Sequence, residues 1–317
     1  MKKIKPSIYT LQEISKKLGY KTRFISPVGA PRKLLITNGK KMYVANSTTF
    51  GFYPETQRWQ QGLFDSKILT QKVLKELTYK TIPSFCVHLK EYKSLHNLLE
   101  VAKRKVKTYP VIIKPDTGAR GLHIDIAENF SQLSRSIKKL HTAKKDFLVQ
   151  QILKHDEYRI LIINGEVRVM HKKEPHAVVG DGTTPLGTLL NGVKKQKKDD
   201  VVIKWHMRET GFSTNTILPK GVRFPYHLTR ASSPDYYETE RIPKSIVKWT
   251  KKLSDSISTQ TIGIDIFVPD ALCNTDAYII IELNANPAFA YFEHKYGDKD
   301  TSTAIAADLL KHYFSST

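Results

Sequence analysis

Three oxygen-bearing side chains late in the sequence are best spaced for chemistry. Asp265 lies in Gly263-Ile-Asp-Ile-Phe-Val268, and Glu282 and Asn284 lie in Tyr278-Ile-Ile-Ile-Glu-Leu-Asn284. Both stretches are apolar and β-branched, so they read as strands. Strand side chains alternate faces, so Glu282 and Asn284 share a face while Leu283 turns to the core. Asp265 sits among Ile264, Ile266 and Phe267, where a carboxylate is costly unless something pairs with it. A polar strand end or a single buried salt bridge would account for Asp265 alone. If the two strands are adjacent, three hard oxygen donors converge. Mg²⁺ takes such donors and shares its other positions with water and phosphate.

A second group lies upstream. Lys114 ends the apolar run Val111-Ile-Ile-Lys and leads through Pro115 into Asp116-Thr-Gly-Ala-Arg-Gly121. A lysine suits a nucleotide phosphate as a point charge, and Gly118 and Gly121 let backbone amides approach phosphate oxygens. By itself the segment also fits a surface hairpin with a solvated lysine. It is not a Walker A loop, because no Gly-Lys-Ser/Thr follows. It is not a Rossmann fingerprint either, because the loop joins strand to strand.

Helix and strand patterns alternate around these groups, which indicates a mixed α/β protein. Thr10-Leu-Gln-Glu13 reads as a capping box opening a helix with Leu11, Ile14 and Leu18 inward and Gly19 as its stop. Lys33–Thr37 and Met42–Ala45 read as a hairpin turned at Asn38-Gly39. Ser66 caps a helix carrying Ile68, Leu69, Val73, Leu74 and Leu77. Leu122–Ile126 reads as a strand and Phe130–Leu140 as a helix with Leu133, Ile137 and Leu140 inward. Phe147–Leu153, Tyr158–Ile163 and Glu166–Met170 read as strands, the last two joined at Asn164-Gly165. Residues 192–240, basic and then rich in Ser, Thr and Pro, read as an insertion or substrate-facing loop. Pro243–Ile257 is an amphipathic helix, Thr261–Val268 and Tyr278–Leu283 are strands, and a helix over about Ser302–Tyr313 follows. Gly180-Asp181-Gly182-Thr-Thr-Pro is a turn cluster, either a plain loop or a border of the nucleophile site. His155, His171 and His176 read as exposed strand-edge histidines, with His176 the best substrate contact of the three.

The chain has 317 residues, 40% of them apolar, which fits a folded protein of one to three domains. No apolar run approaches the ~20 residues of a membrane helix, and the basic start Met1-Lys-Lys-Ile-Lys has no apolar stretch of a secretory signal behind it. Cys86 and Cys273 lie in apolar surroundings and lack metal-ligand spacing, which suits a reducing cytosol. The net charge is +21, with lysine clusters at 103–107, 138–139, 144–145 and 194–198. Such a field is either a solvated surface or a device that draws in an anion: ATP, or an acidic amino acid or peptide. The lack of an RNA- or DNA-binding motif argues against nucleic acid. Oligomeric state is not legible in the sequence, and a homodimer is the default expectation for soluble enzymes in general.

The ordered set Lys114-Pro-Asp-Thr-Gly-Ala-Arg-Gly, Val149-Gln-Gln-Ile-Leu, Asp156-Glu-Tyr-Arg159, Asp265 and Glu282-Leu-Asn284 resembles the ATP-grasp superfamily over roughly residues 60–295. Within it, Asp156-Glu-Tyr-Arg-Ile-Leu-Ile-Ile-Asn-Gly-Glu-Val and Lys173-Glu-Pro-His-Ala-Val-Val-Gly-Asp-Gly182 are most similar to the ATP-grasp part of cyanophycin synthetase and related glutamate or peptide ligases. The resemblance implies an α/β (α+β) ATP-grasp fold, with two subdomains gripping ATP between antiparallel sheets behind a small N-terminal α/β domain. On that reading residues 1–75 form the N-terminal domain, 76–150 the subdomain with the phosphate-covering loop, and 151–317 the subdomain with the metal site and the basic insertion 192–240.

The resemblance also implies roles. Lys67 and Lys114 contact ATP phosphates, and the loop with Thr117, Gly118, Arg120 and Gly121 folds over them. Gln150, Gln151, Ile152 and Leu153 form the hinge that reads adenine, and Glu157 binds the ribose. Asp265, Glu282 and Asn284 bind one or two Mg²⁺, with Mn²⁺ as a substitute. Arg159 and Lys173 face the transferred phosphoryl group and the acyl phosphate. The implied activity is that of a cytoplasmic, ADP-forming carboxylate–amine ligase working through an acyl phosphate on an amino acid or peptide. A small-molecule kinase and a non-catalytic nucleotide- or acidic-partner-binding module are the alternatives. Two positions depart from the family pattern: Ala288 stands where relatives carry Gly, and Gln150 where several carry Glu. Residues 206–240 do not match the substrate loop of cyanophycin synthetase.

Overall fold

The computed structural model describes residues 8–25, 33–46, 58–118, 124–193, 199–238, 242–285, 287 and 299–315. In chain order the elements are helix α1 (Ile8–Lys17), strands β1 (Lys21–Ile25), β2 (Lys33–Thr37) and β3 (Met42–Asn46), helices α2 (Arg58–Asp65) and α3 (Lys67–Glu76), and β4 (Ser84–Val87). Then come α4 (Leu95–Lys105), β5 (Val111–Pro115), β6 (Asp125–Ala127), α5 (Phe130–Thr142), β7 (Phe147–Gln151), β8 (Asp156–Ile163) and β9 (Glu166–Val179). The last are α6 (Leu186–Asn191), α7 (Asp200–Thr210), β10 (Arg223–Glu238), α8 (Lys244–Ser256), β11 (Ile262–Val268), β12 (Ile279–Asn284) and α9 (Lys299–Ser315). Among the described residues no helix is long and apolar enough to cross a membrane.

The chain divides into two compact units, neither contiguous in sequence. The first comprises Met1–Phe64, Tyr158–His171 and Pro234–Thr317, and the second Asp65–Glu157 and Lys172–Ser233. This differs from successive segments at 1–75, 76–150 and 151–317, and the core explains why. Leu34 and Ile36 of β2 and Leu11 and Ile14 of α1 are buried in one cluster with Leu161, Ile163, Val169, Ile305 and Leu309. The N-terminal sheet, ordered β1-β2-β3, therefore completes a core built from residues far along the chain.

The second unit is built on an antiparallel sheet ordered β4-β7-β5-β6. Alternation along its strands sends side chains to two faces. Val111, Ile113, Phe147 and Val149 pack under α4 and α5 with Leu98, Ala102, Leu133 and Ile137. Ile112 and Ile126, on the other face, pack with Ile152 and with Val202 and Trp205 of α7. The five-stranded sheet is ordered β10-β9-β8-β11-β12. Its β8–β9 hairpin turns at Asn164 and Gly165, both with positive φ (52° and 77°), as the Asn-Gly pair predicts.

Several elements depart from the sequence reading. Ile8 is already helical in α1, so Thr10 lies within the helix rather than before it. Ile8, Leu11 and Ile14 are all buried, and burial of that stripe extends the helix a turn earlier than the cap motif. The β2–β3 hairpin, by contrast, is as read: Thr37 pairs with Met42, Gly39 has φ +93°, and in the four-residue connection Asn38 Oδ1 accepts from Lys40 N (3.0 Å) and Lys41 N (2.8 Å). Ser66 does cap α3, its Oγ accepting from Leu69 N at 3.1 Å, but Leu69 itself is exposed.

The stretch 192–240 is not mainly loop. Asp199 caps α7 through Val201 N and Val202 N, and Gly211 ends it at φ +70°. β10 carries Pro225 and Pro234 and is an edge strand, where a missing N–H is tolerated. Its prolines and its Ser and Thr content hid the strand from pattern reading. The lysine run at 194–198 lies outside the described residues.

Candidate active site

In the first unit, β11 and β12 are adjacent and antiparallel, with Asp265 directly opposite Glu282 and Gly263 opposite Asn284. The register shifts between Asp265 and Ile266, so a bulge sits beside the carboxylate and re-aims the strand there. Asp265 is 1% exposed. Leu283 is buried, as the alternation predicts, while the Glu282 side chain keeps 33% of its exposure. Asn284 Nδ2 lies 3.3 Å from Glu282 Oε1 and donates to it.

The buried salt bridge that Asp265 needs is also present. Arg159, on neighbouring β8, donates Nε to Oδ1 and Nη2 to Oδ2, each at 2.6 Å. The same Nη2 is 3.6 Å from Glu282 Oε1. A planar guanidinium matches a carboxylate with two parallel bonds, a geometry an ammonium cannot reproduce. Arg159, Asp265, Glu282 and Asn284 are thus brought together on one patch of the sheet. Two carboxylates and an amide carbonyl are hard oxygen donors, the set that fits Mg²⁺. Asn286 and Ala288 lie outside the described residues.

The second unit holds the residues assigned to the nucleotide. Lys114 sits on β5 opposite Leu148 of β7. Lys67, expected at a phosphate, instead braces the loop: its Nζ donates to the carbonyls of Asp116 (3.1 Å) and Gly118 (3.0 Å). The Asp116 carboxylate accepts from Ser66 Oγ at 2.9 Å and from Ile68 N at 2.8 Å. It therefore closes the N-terminus of α3, where a negative charge is favourable. Thr117 and Gly118 follow in this braced segment, whereas Arg120 and Gly121 lie outside the described residues.

Gln150 is buried, and its Nε2 donates to Ser84 Oγ at 2.7 Å, which in turn donates to the Ile82 carbonyl at 2.7 Å. Gln151 is the exposed last residue of β7, Ile152 and Leu153 are half-buried beyond it, and Ile152 packs on α7. Glu157 is buried and ion-paired with Lys173, so the residues expected at ribose and acyl phosphate contact each other. Lys172 and Asp156 form a second pair beside them at 2.7 Å.

The histidines and cysteines correct two expectations. His171 is 3% exposed and belongs to the interior, because Met170 and Val169 on β9 are buried with it. His176 is exposed, with its ring 6.2 Å from that of Tyr226 and 6.1 Å from that of His227. Cys273 is exposed rather than buried among apolar residues, and Cys86 is half-buried. Burial pushes the Cys86 thiol above its ordinary range, and Lys75 and Lys72 only partly oppose this.

Sequence reasoning missed two groups. Trp205 sits against Ile152, and α7 is tied down by Arg208–Glu128 and by Lys154–Glu209 at 2.7 Å. The Asp199 cap two residues before Val201-Val-Ile-Lys-Trp205 was the available signal. At Gly180, a Cβ would stand 2.4 Å from the Pro219 carbonyl and 2.6 Å from Leu218, so the turn cluster is a close backbone crossing. Asp181 there accepts from Thr183 N (2.8 Å), Thr184 N (2.7 Å) and Thr184 Oγ1 (2.6 Å). Those bonds, led by the Thr184 hydroxyl, hold its carboxyl well below the usual carboxylate range.

No protein-family model matches the chain. In structure it is similar to a bifunctional glutathione synthetase from Pasteurella multocida, with a TM-score of 0.53 over 96% of this chain and 44% of that one, at 17% identity. The chain has an ATP-grasp fold. In sequence the chain is similar to the cyanophycin synthetase of Crocosphaera subtropica, 26% identical over 243 residues, covering 68% of this chain and 27% of that protein. It is also similar to the glutathione biosynthesis bifunctional protein GshAB of Streptococcus mutans, 24% identical over 275 residues, covering 78% and 35%. The chain thus spans well under half the length of the curated relatives it matches.

Proposed function

We propose that the protein is an ATP-dependent, ADP-forming carboxylate–amine ligase acting on an amino acid or peptide. The observation that carries this reading is the Asp265–Glu282 pair, opposed on adjacent strands with Asn284 on Glu282. Similarity to a cyanophycin synthetase and to a glutathione biosynthesis protein supports amide-bond formation as the outcome.

Asp265, Glu282 and Asn284 would hold Mg²⁺, which neutralises phosphate charge and orients the transferred group when bound. The residues of this chain would do the rest by position and charge, since phosphoryl transfer asks little covalent chemistry of a protein. Lys114 and Lys67 would hold the phosphates, with Lys67 exchanging its loop carbonyls for a phosphate oxygen. Thr117, Gly118, Arg120 and Gly121 would cover them. Gln150 to Leu153 would receive the base, and Glu157 the ribose, once it turns from Lys173. Arg159 and Lys173 would face the acyl phosphate.

In the first step a substrate carboxylate oxygen attacks the γ-phosphorus, and the β–γ bridge oxygen leaves with ADP. In the second an amine attacks the acyl carbon, the C–O bond to phosphate breaks, inorganic phosphate departs, and the nitrogen loses a proton. The basic surface favours an acidic acceptor. A homodimer working in the cytoplasm completes the proposal.

Incubation with MgATP, candidate amino acids and dipeptides, and hydroxylamine tests the reading. Hydroxamate and ADP in equal amounts are expected. A stable phosphorylated product without hydroxamate would mean a kinase on the same fold, and no ADP with any acid would leave a binding module. Glu282→Ala should lower turnover by about 10²–10³ with the fold retained, the usual effect of losing a preorganised charge partner.

A further inference from the structure

Arg159 does more in this arrangement than face a phosphoryl group. Its guanidinium takes both oxygens of Asp265 at 2.6 Å and leans toward Glu282 at 3.6 Å. The two carboxylates carry two negative charges and the guanidinium one positive, which leaves the patch at one net negative charge. That positive charge is permanent, because arginine does not deprotonate in proteins. It is also held rigidly, because Asp265 is 1% exposed and the fork is bidentate.

We infer that Arg159 is the built-in countercharge of the carboxylate pair, and that it makes divalent-cation binding depend on an anionic ligand arriving with the cation. The inference rests on the reading of Asp265, Glu282 and Asn284 as metal ligands. Arg159 has two effects on the pair. It keeps two facing carboxylates together on adjacent strands, where like charges directly opposite are otherwise unfavourable. It also places a cation beside the oxygens that a divalent ion must approach, and the burial of Asp265 weakens solvent screening of that repulsion. A free cation therefore meets a site whose negative charge Arg159 has already halved. A cation bound to a triphosphate brings negative charge of its own, which satisfies Arg159 as well as the metal. Arg159 is in this sense a positioning residue that couples metal binding to nucleotide binding.

Mn²⁺ titration followed by electron paramagnetic resonance tests this, with the full chain in the presence and absence of a non-hydrolysable ATP analogue. The wild-type protein should bind Mn²⁺ tightly only with the analogue. Arg159→Met should bind Mn²⁺ without the analogue at least tenfold more tightly than wild type, and Arg159→Lys, which keeps the charge, should behave like wild type. If wild type binds Mn²⁺ alone as tightly as Arg159→Met, or if Arg159→Lys gains affinity as Arg159→Met does, the countercharge role is wrong while the metal site stands. If wild type fails to bind Mn²⁺ even with the analogue, or if Glu282→Gln binds it undiminished, the metal assignment is wrong and the inference goes with it. Circular dichroism on each variant establishes that it is folded. Should Arg159→Met fail to fold, Arg159→Gln provides the neutral arm of the same comparison.

Discussion

Asp265→Asn tests the contact on which the first unit's polar core depends. The substitution preserves shape but turns one accepting oxygen into an N–H₂ donor. Both oxygens now face guanidinium N–H groups at 2.6 Å, so either amide orientation sets donor against donor. Gross attraction between unit charges about 4 Å apart is about 4 kcal/mol at an effective dielectric of 20. Removing one partner of a buried pair typically costs about 3–5 kcal/mol. The Arg159 side chain retains 30% exposure and has Glu282 in reach, so water and a second carboxylate recover part of that loss. A net destabilisation of about 2–3 kcal/mol follows, or about 5–10 °C in Tm at the usual scaling for a unit of this size. Thermal melts by circular dichroism read this directly, and a double-mutant cycle with Arg159→Met isolates the pair. A variant melting within about 1 °C of wild type, or a coupling below about 0.5 kcal/mol, would show that the ion pair does not hold the native state together.

Other expectations follow from separate parts of the molecule. Gly180→Ala places a Cβ against the Pro219 carbonyl and Leu218, and should destabilise the second unit by about 1–3 kcal/mol, read as a lower Tm and faster proteolysis between Val178 and Phe224. Thiol labelling at pH 8 should modify exposed Cys273 first. Cys86, with its thiolate suppressed by burial, should react slowly and speed up only as pH rises past the ordinary cysteine range; equal rates in Cys86→Ser and Cys273→Ser single variants would refute this. If the +21 net charge steers an acidic substrate, KM should rise with ionic strength while kcat stays nearly constant; a salt-independent KM would reduce the lysines to a solvated surface.

What the sequence determined alone was local or periodic. The alternation Glu282-Leu283-Asn284 put two polar groups on one face whatever their neighbours, and Ser66, Asn164-Gly165 and Leu133-Ile137-Leu140 read correctly because caps, turns and helical stripes are set within a few residues. The order of motifs from Lys114 to Asn284 carried the likeness to the ATP-grasp fold. Tertiary structure alone decided partners. Arg159 meets Asp265 across 106 positions, Lys67 turned to the Asp116 and Gly118 carbonyls, and Glu157 found Lys173. The sequence signalled the helix of Trp205 only through the Asp199 cap, and the fold alone set Trp205 against Ile152. The reason is physical: propensity and periodicity act along the chain, whereas the cost of burying a charge is met by whichever group the fold brings within about 3 Å.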